Sequence, residues 1–246
     1  MEKNDWQTSI DVLDYAFQPI INCESKMCYG YEALLRNYEQ AGFDSIQAFM
    51  NASYGANQLQ WVNSLLIEKA IVKFLDLMNL KQDSRIKLFF NLDSRILSDM
   101  SSMVKTLQTL YQKYNLTAPM VCFEVTEFFD VFGKKIDEYS VENRKLFEIA
   151  IDDFGTGFSD LKLLYYLKPE FIKIDRFFVS DIEKNFKKRI FLIKIIKMAE
   201  VLGTKVVAEG VESEMEFIIC KHIGCKLAQG YFIRRPDIEI SRLVDF

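Results

Sequence analysis

Short apolar runs that stop on a polar residue recur along this chain. Leu88-Phe89-Phe90 stops on Asn91, Val121-Cys122-Phe123 on Glu124, and Ile149-Ala150-Ile151 on the pair Asp152-Asp153. Phe171-Ile172-Lys173-Ile174 stops on Asp175, and Val206-Val207-Ala208 on Glu209. A short β-rich run, a polar stop and then a helical stretch, repeated, is the sequence form of a βαβ series. In parallel sheets, ligands gather at the carboxyl ends of the strands. The pattern therefore collects hard oxygen ligands at one mouth and points to a metal-dependent active site.

The remaining elements follow from the same periodicities. An extended segment, Ala16 to Ile21, leads through the polar turn Glu24-Ser25-Lys26 and returns as Met27 to Arg36, a hairpin. Helical spacing marks Val62 to Met78, Met103–Tyr114, Val141–Phe147, Asp160–Leu167, Ile190–Leu202 and Glu214–His222. Strands are expected at Ile86–Asn91, Val121–Val125, Ile149–Ile151, Phe171–Ile174, Lys205–Ala208 and Leu227–Tyr231. Seven or eight strands, mostly followed by helices, predict an α/β fold, a TIM-like (β/α)8 barrel. The early hairpin makes one of its strands antiparallel. A doubly wound sheet fits less well, because no GxGxxG turn follows the first strand. A single domain over residues 1–246, with its barrel core at about 14–240, accounts for the 246 residues.

Composition narrows the chemistry. No apolar stretch approaches the ~20 residues that span a bilayer, and Met1-Glu2-Lys3-Asn4-Asp5 is too polar for a secretion signal. Cys23, Cys28, Cys122, Cys220 and Cys225 form no CxxC pair, and an odd count favours reduced thiols in the cytoplasm. A net charge of −4 gives no global basic field for a nucleic-acid polymer. The basic run Lys184 to Arg189 reads as a solvated helix end. His222 is the single histidine, which argues against histidine zinc sites and Ser-His-Asp triads. It sits near a helix end, in a structural or capping role.

Asp152-Asp153 carries the sharpest signal. Successive strand residues point to opposite faces, so adjacent aspartates share a site only where the strand breaks. Phe154-Gly155-Thr156-Gly157 is expected to supply that break as a loop. Carboxylates this close repel unless cations neutralise them, and hard oxygens suit Mg²⁺ or Mn²⁺. Glu32 lies among apolar neighbours, where an acid needs a partner or a metal. Four residues on in the same strand, Arg36 could pair with it or reach a substrate phosphate. Lys173 sits between Ile172 and Ile174, so it needs either Asp175 as a partner or a place among the carboxylates, positioning or deprotonating a water. Glu209-Gly210-Val211-Glu212 repeats the pattern of acid, glycine turn and acid, with helix capping as the other reading of Glu212. Gln229 closes the last strand with an amide suited to water or a guanine edge.

These segments in this order resemble the EAL-domain cyclic-di-GMP phosphodiesterases. The resemblance rests on Gln18-Pro19-Ile20, Glu32-Ala33-Leu34-Leu35-Arg36, Asn91-Leu92, Glu124-Val125-Thr126-Glu127 and Asp152 to Gly157. It continues through Lys173-Ile174-Asp175, Ala208 to Glu212 and Gln229-Gly230-Tyr231. It implies hydrolysis of cyclic di-GMP to linear pGpG with two Mg²⁺ or Mn²⁺ ions. By motif, Glu32, Asn91, Glu124 and Asp152 would hold metals, and Asp153 would complete the second site. Lys173 would act at the nucleophilic water, with Glu209, Glu212 and Gln229 supporting the metals or their water shell. Gln18, Leu35, Arg36 and Pro236 would lie along the nucleotide, and Glu127 would brace the loop after Asp153. The resemblance also implies a homodimer; sensor or GGDEF partner domains are common in the family, and the chain is either a stand-alone enzyme or a domain excised from such a protein. Asp93 stands where a serine commonly follows Asn-Leu. The alternative function is a catalytically inactive EAL-type receptor for the same nucleotide.

Overall fold

Eight strands close into one barrel in sequence order, β1 (Asp14–Asn22), β2 (Cys28–Arg36), β3 (Lys87–Asn91), β4 (Val121–Val125), β5 (Phe147–Phe154), β6 (Phe171–Ile174), β7 (Lys205–Ala208) and β8 (Leu227–Ala228). The computed structural model describes residues 3–81, 86–126, 145–156 and 160–243. β1 runs antiparallel to both β2 and β8, and the other six neighbouring pairs are parallel. The hairpin is therefore real, and its first strand is the one reversed member.

The helices form the outer layer. They are α1 (Lys3–Val12), α2 (Ile46–Gly55), α3 (Leu59–Lys81), α4 (Met100–Tyr114), α5 (Asp160–Leu167), the single turn α6 (Arg176–Val179), α7 (Phe186–Leu202) and α8 (Glu214–Ile223). α7 starts earlier than its apolar spacing suggests, because the Asn185 side chain accepts from Lys188 N and caps it within the basic run. α8 opens with a capping box in which Ser213 and Glu216 satisfy each other's backbone N–H. His222 lies in its last turn, beside the left-handed Gly224 that ends it.

Two expected elements change. Phe147 opens β5 rather than ending a helix, and residues 141–144 of that expected helix lie outside the described residues. β8 stops at Ala228, short of the expected Tyr231, and the chain turns after Gly230, whose carbonyl accepts from Ile233 N and Arg234 N.

Inside the barrel the side chains form two layers. Ile20, Phe89, Cys122, Ala150, Phe171, Val207 and Leu227 make a separate buried apolar cluster. Gly30 occupies the β2 position of this layer. A Cβ there would meet Lys87 O at 2.7 Å and the Phe89 ring at 2.8 Å, so glycine leaves room for the ring. With a period of two, the next inward residue toward the mouth is polar, on the carboxyl side in seven strands and on the amino side in the reversed β1. Those residues are Gln18, Glu32, Asn91, Glu124, Asp152, Lys173, Glu209 and Gln229. An apolar plug thus supports a polar floor to which every strand contributes one side chain.

Candidate active site

Lys173 is at the centre of that floor, 1% exposed. Its Nζ lies 2.6 Å from Glu124 Oε1, 2.8 Å from Glu209 Oε1, 3.1 Å from Asp152 Oδ1 and 3.3 Å from Glu32 Oε2. Asp175 is not its partner; that carboxylate caps α6 by accepting from Phe177 N. Nor does Arg36 pair with Glu32: its guanidinium donates to Leu35 O.

The amides tie the acids together. Asn91 Nδ2 donates to Glu32 Oε1 at 3.0 Å and to Glu124 Oε2 at 3.1 Å. Gln229 Nε2 donates to Glu32 Oε2 at 2.6 Å and to Gln18 Oε1 at 3.1 Å. Gln18 in turn donates to Arg234 O. That last bond, with the Phe17–Asp237 backbone pair, pins the segment carrying Pro236 beside β1.

Asp153 joins Asp152 by a route other than the expected loop. The pairing of β5 with β6 shifts register between Ile151 and Phe154, and Asp153 takes φ 50°. A bulge within the strand breaks the alternation of faces, and aspartate tolerates the left-handed conformation better than most residues. Carboxylate oxygens of Asp152, Asp153 and Glu209 then lie within 4.8 Å of one another.

With every acid ionised, the four carboxylates around one ammonium would carry a formal charge of −3 (four negative, one positive) in a largely buried site. Burial pushes the Glu32 carboxyl up, but Lys173, Gln229 and Asn91 outweigh it and hold it below its ordinary range. Burial, then the charge of Glu32, drives Glu124 well above its ordinary value against the pull of Lys173. Glu209 is likewise driven well above its ordinary value by burial, Lys173 opposing and Asp152 adding to the rise. Burial, then Asp152, raises Asp153. For Lys173, burial alone would favour the neutral amine, but the acids, Asp152 foremost, keep it protonated. Glu124 Oε1 and Asp152 Oδ1 touch the ammonium without hydrogen-bond geometry, and Gln229 Oε1 also lacks a donor among the described residues. Surplus negative charge and orphaned oxygens fit divalent cations of the hard type.

Two cavities meet at Glu32. One, of about 530 Å³, has Leu35, Arg36, Asn91 and Arg95 among its walls. The other, of about 260 Å³, is bordered by Gln18, Asp153, Glu209, Glu212, Gln229 and Arg176. Glu212 stands at this second rim, paired with Arg176 NH2 at 2.6 Å, apart from the Lys173 cluster. It is not the helix cap; Ser213 and Glu216 have that role. Glu127 lies outside the described residues.

Sequence reasoning missed three residues that shape the site. Arg176 follows Lys173-Ile174-Asp175 directly, and its position was the only available hint. Glu216 is buried and accepts from Glu212 N, Ser213 N and Asp181 N, fixing the Glu212 loop. The Ser213-x-x-Glu216 spacing is a capping-box signal that could have found it. Arg95 holds Asp93 with Nε at 2.8 Å, donates to Asn51 and stacks over Tyr54, 4.6 Å from the ring centroid.

A family model described as the EAL domain matches residues 3–236. The cyclic di-GMP phosphodiesterase NbdA of Pseudomonas aeruginosa is 29% identical over 241 residues, covering 96% of this chain and 30% of that protein. The cyclic di-GMP phosphodiesterase RocR of the same organism is 28% identical over 229 residues, 91% of this chain and 57% of that protein. Among solved structures, the EAL enzyme Bd1971 in its cAMP and cyclic-di-GMP bound form superposes with a TM-score of 0.83 at 29% identity. That match covers 98% of this chain and 66% of the other. A manganese/cyclic-di-GMP complex of Klebsiella pneumoniae BlrP1 gives 0.75 at 28% identity, over 92% of this chain and 56% of that one. The chain spans about a third or less of the first curated relatives it matches.

Proposed function

Because the chain belongs to the EAL domain family, we propose that it is a metal-dependent phosphodiesterase that hydrolyses one phosphodiester of cyclic di-GMP to give linear pGpG. The observation that carries this reading is the polar floor, in which four buried or half-buried acids surround one ammonium. Glu32, Asn91, Glu124, Asp152 and Asp153 would hold two Mg²⁺ or Mn²⁺ ions. Bound there, the ions would supply charge neutralisation at the phosphoryl centre and an acidified water.

The chain's own groups have distinct tasks in this reading. Lys173 orients the attacking water with an ammonium whose place is fixed by four carboxylates. Gln229 and Asn91 set the Glu32 carboxylate from both of its oxygens. Glu209 borders the water shell, and Glu212 acts from the rim through its hold on Arg176. Arg36 receives a phosphate at the mouth of the larger cavity, while Leu35, Gln18 and Pro236 lie along the nucleotide. Glu127 braces the loop after Asp153. A homodimer, attachment to sensor or GGDEF domains in a longer protein, and cytoplasmic residence belong to the same reading. Among the described residues no helix is long and apolar enough to cross a membrane.

The test is incubation of purified protein with cyclic di-GMP and Mg²⁺ or Mn²⁺, followed by separation of nucleotides. Linear pGpG that disappears with chelator is the expected product. Bound but unhydrolysed nucleotide would make the chain a receptor instead.

A further inference from the structure

α2 forms one wall of the larger cavity through Ile46, Gln47 and Met50. Two kinds of contact attach it to the rest of the chain. Phe49 is buried and packs edge-on against the rings of Trp6 and Phe43, an apolar contact that holds the helix close but gives it little direction. The directional bonds come from Arg95, just beyond the exit of β3. Its Nη1 donates to Asn51 Oδ1 at 3.0 Å, and its guanidinium lies over the Tyr54 ring. The same Asn51 oxygen accepts from Gln47 Nε2 at 3.0 Å, so a wall residue of the cavity is tied to Arg95 through one atom.

Arg95 is itself held on its other side. Asp93 accepts from its Nε and Nη2 as a fork, and from its backbone N–H. An exposed ion pair would contribute little, but the Asp93 side chain is only 9% exposed and the fork fixes the guanidinium plane. Asp93 stands two residues beyond Asn91, whose amide joins Glu32 to Glu124.

We infer that Arg95 is a positioning residue that sets the width of the larger cavity by clamping α2 to the exit of β3. The bonds from Asp93 through Arg95 and Asn51 to Gln47 join the wall to the acid floor, so the cavity keeps its width before a ligand arrives. A preset wall has less ordering to undergo on binding. The inference rests on the phosphodiesterase reading for the identity of the ligand, and adds to it what holds the wall in place. Loss of the clamp therefore falls on KM and largely spares the chemistry at Lys173.

Steady-state kinetics with cyclic di-GMP, and hydrogen exchange of the free protein, test it on Arg95→Leu, Asn51→Leu, Asn51→Asp and the double leucine variant. Arg95→Leu and Asn51→Leu should each raise KM by about 3–10-fold, with kcat within about threefold of wild type. Asn51→Asp keeps the acceptor and should hold KM within about twofold of wild type. The double variant should match the worse single one, since both changes cut the same connection. In the free protein, α2 amides should exchange about 3–10-fold faster in both leucine variants, with β3 and β4 at the wild-type rate. Wild-type KM or wild-type α2 exchange in Arg95→Leu would overturn the assignment. So would faster exchange spread equally over β3 and β4, equal losses in Asn51→Asp and Asn51→Leu, or additive effects in the double variant. A wild type that leaves cyclic di-GMP intact sinks the phosphodiesterase reading, while the exchange rates still decide whether Arg95 clamps α2.

Discussion

Lys173 Nζ and Glu124 Oε1 lie 2.6 Å apart with both side chains shut off from solvent. An ammonium is expensive to bury unless paired, so the pair fixes the centre of the site and makes Lys173 hard to replace. Lys173→Met should reduce kcat by at least about 100-fold. It should also destabilise the metal-free protein by about 3–5 kcal/mol, because four acids lose their shared cation. Urea unfolding with and without Mg²⁺ measures the second effect. Equal stability of variant and wild type without metal would remove the lysine from its proposed structural role.

Glu216 joins three backbone N–H groups of two loops through one carboxylate. Glu216→Ala should lower stability by about 1.5–3 kcal/mol, since three part-buried backbone donors lose a charged acceptor. It should also lower kcat, because Glu212 is carried on the loop that Glu216 fixes. Chemical denaturation and steady-state kinetics on the same sample check both, and unchanged kcat would detach Glu212 from catalysis.

Gly30 keeps the lower layer of the barrel closed under the acids. Gly30→Ala should lower stability by about 1–3 kcal/mol by overpacking against Phe89. Thermal unfolding reads the change. A melting temperature equal to wild type would mean that the layer is looser than its contacts indicate.

Gly230 has a different constraint. A Cβ there would come within 2.1 Å of Val211 O, and the neighbouring Gln229 holds Glu32. Gly230→Ala should therefore reduce activity more than Gly30→Ala does at matched folded fraction. Kinetics normalised to the folded population by circular dichroism tests the ranking, and the reverse order would contradict it.

The strands and most of the floor were legible because both depend on local pattern. A β-rich run and the polar residue that ends it are neighbours in sequence, so Asn91, Glu124 and Glu209 could be read from their own segments. The antiparallel strand was readable for the same reason, since a hairpin is a local object. What escaped depends on tertiary contact. The bulge that turns Asp152 and Asp153 into one site comes from the register of β5 on β6, which leaves no mark in the sequence of either strand. Of the two readings of Lys173, the place among the carboxylates agrees with the structure and the pairing with Asp175 does not, because period-two reasoning sees only its own strand and not the four acids arriving from β2, β4, β5 and β7. Phe147 opened a strand where helical spacing was read, because a run that short fits either period.

In the proposed function, five side chains from four strands close around two divalent ions. Anomalous scattering from manganese-loaded crystals grown with cyclic di-GMP measures this directly. Two peaks among Glu32, Asn91, Glu124, Asp152 and Asp153, with a phosphate against them, are predicted. A floor without manganese, its acids satisfied by Lys173 and by protons alone, would contradict the account.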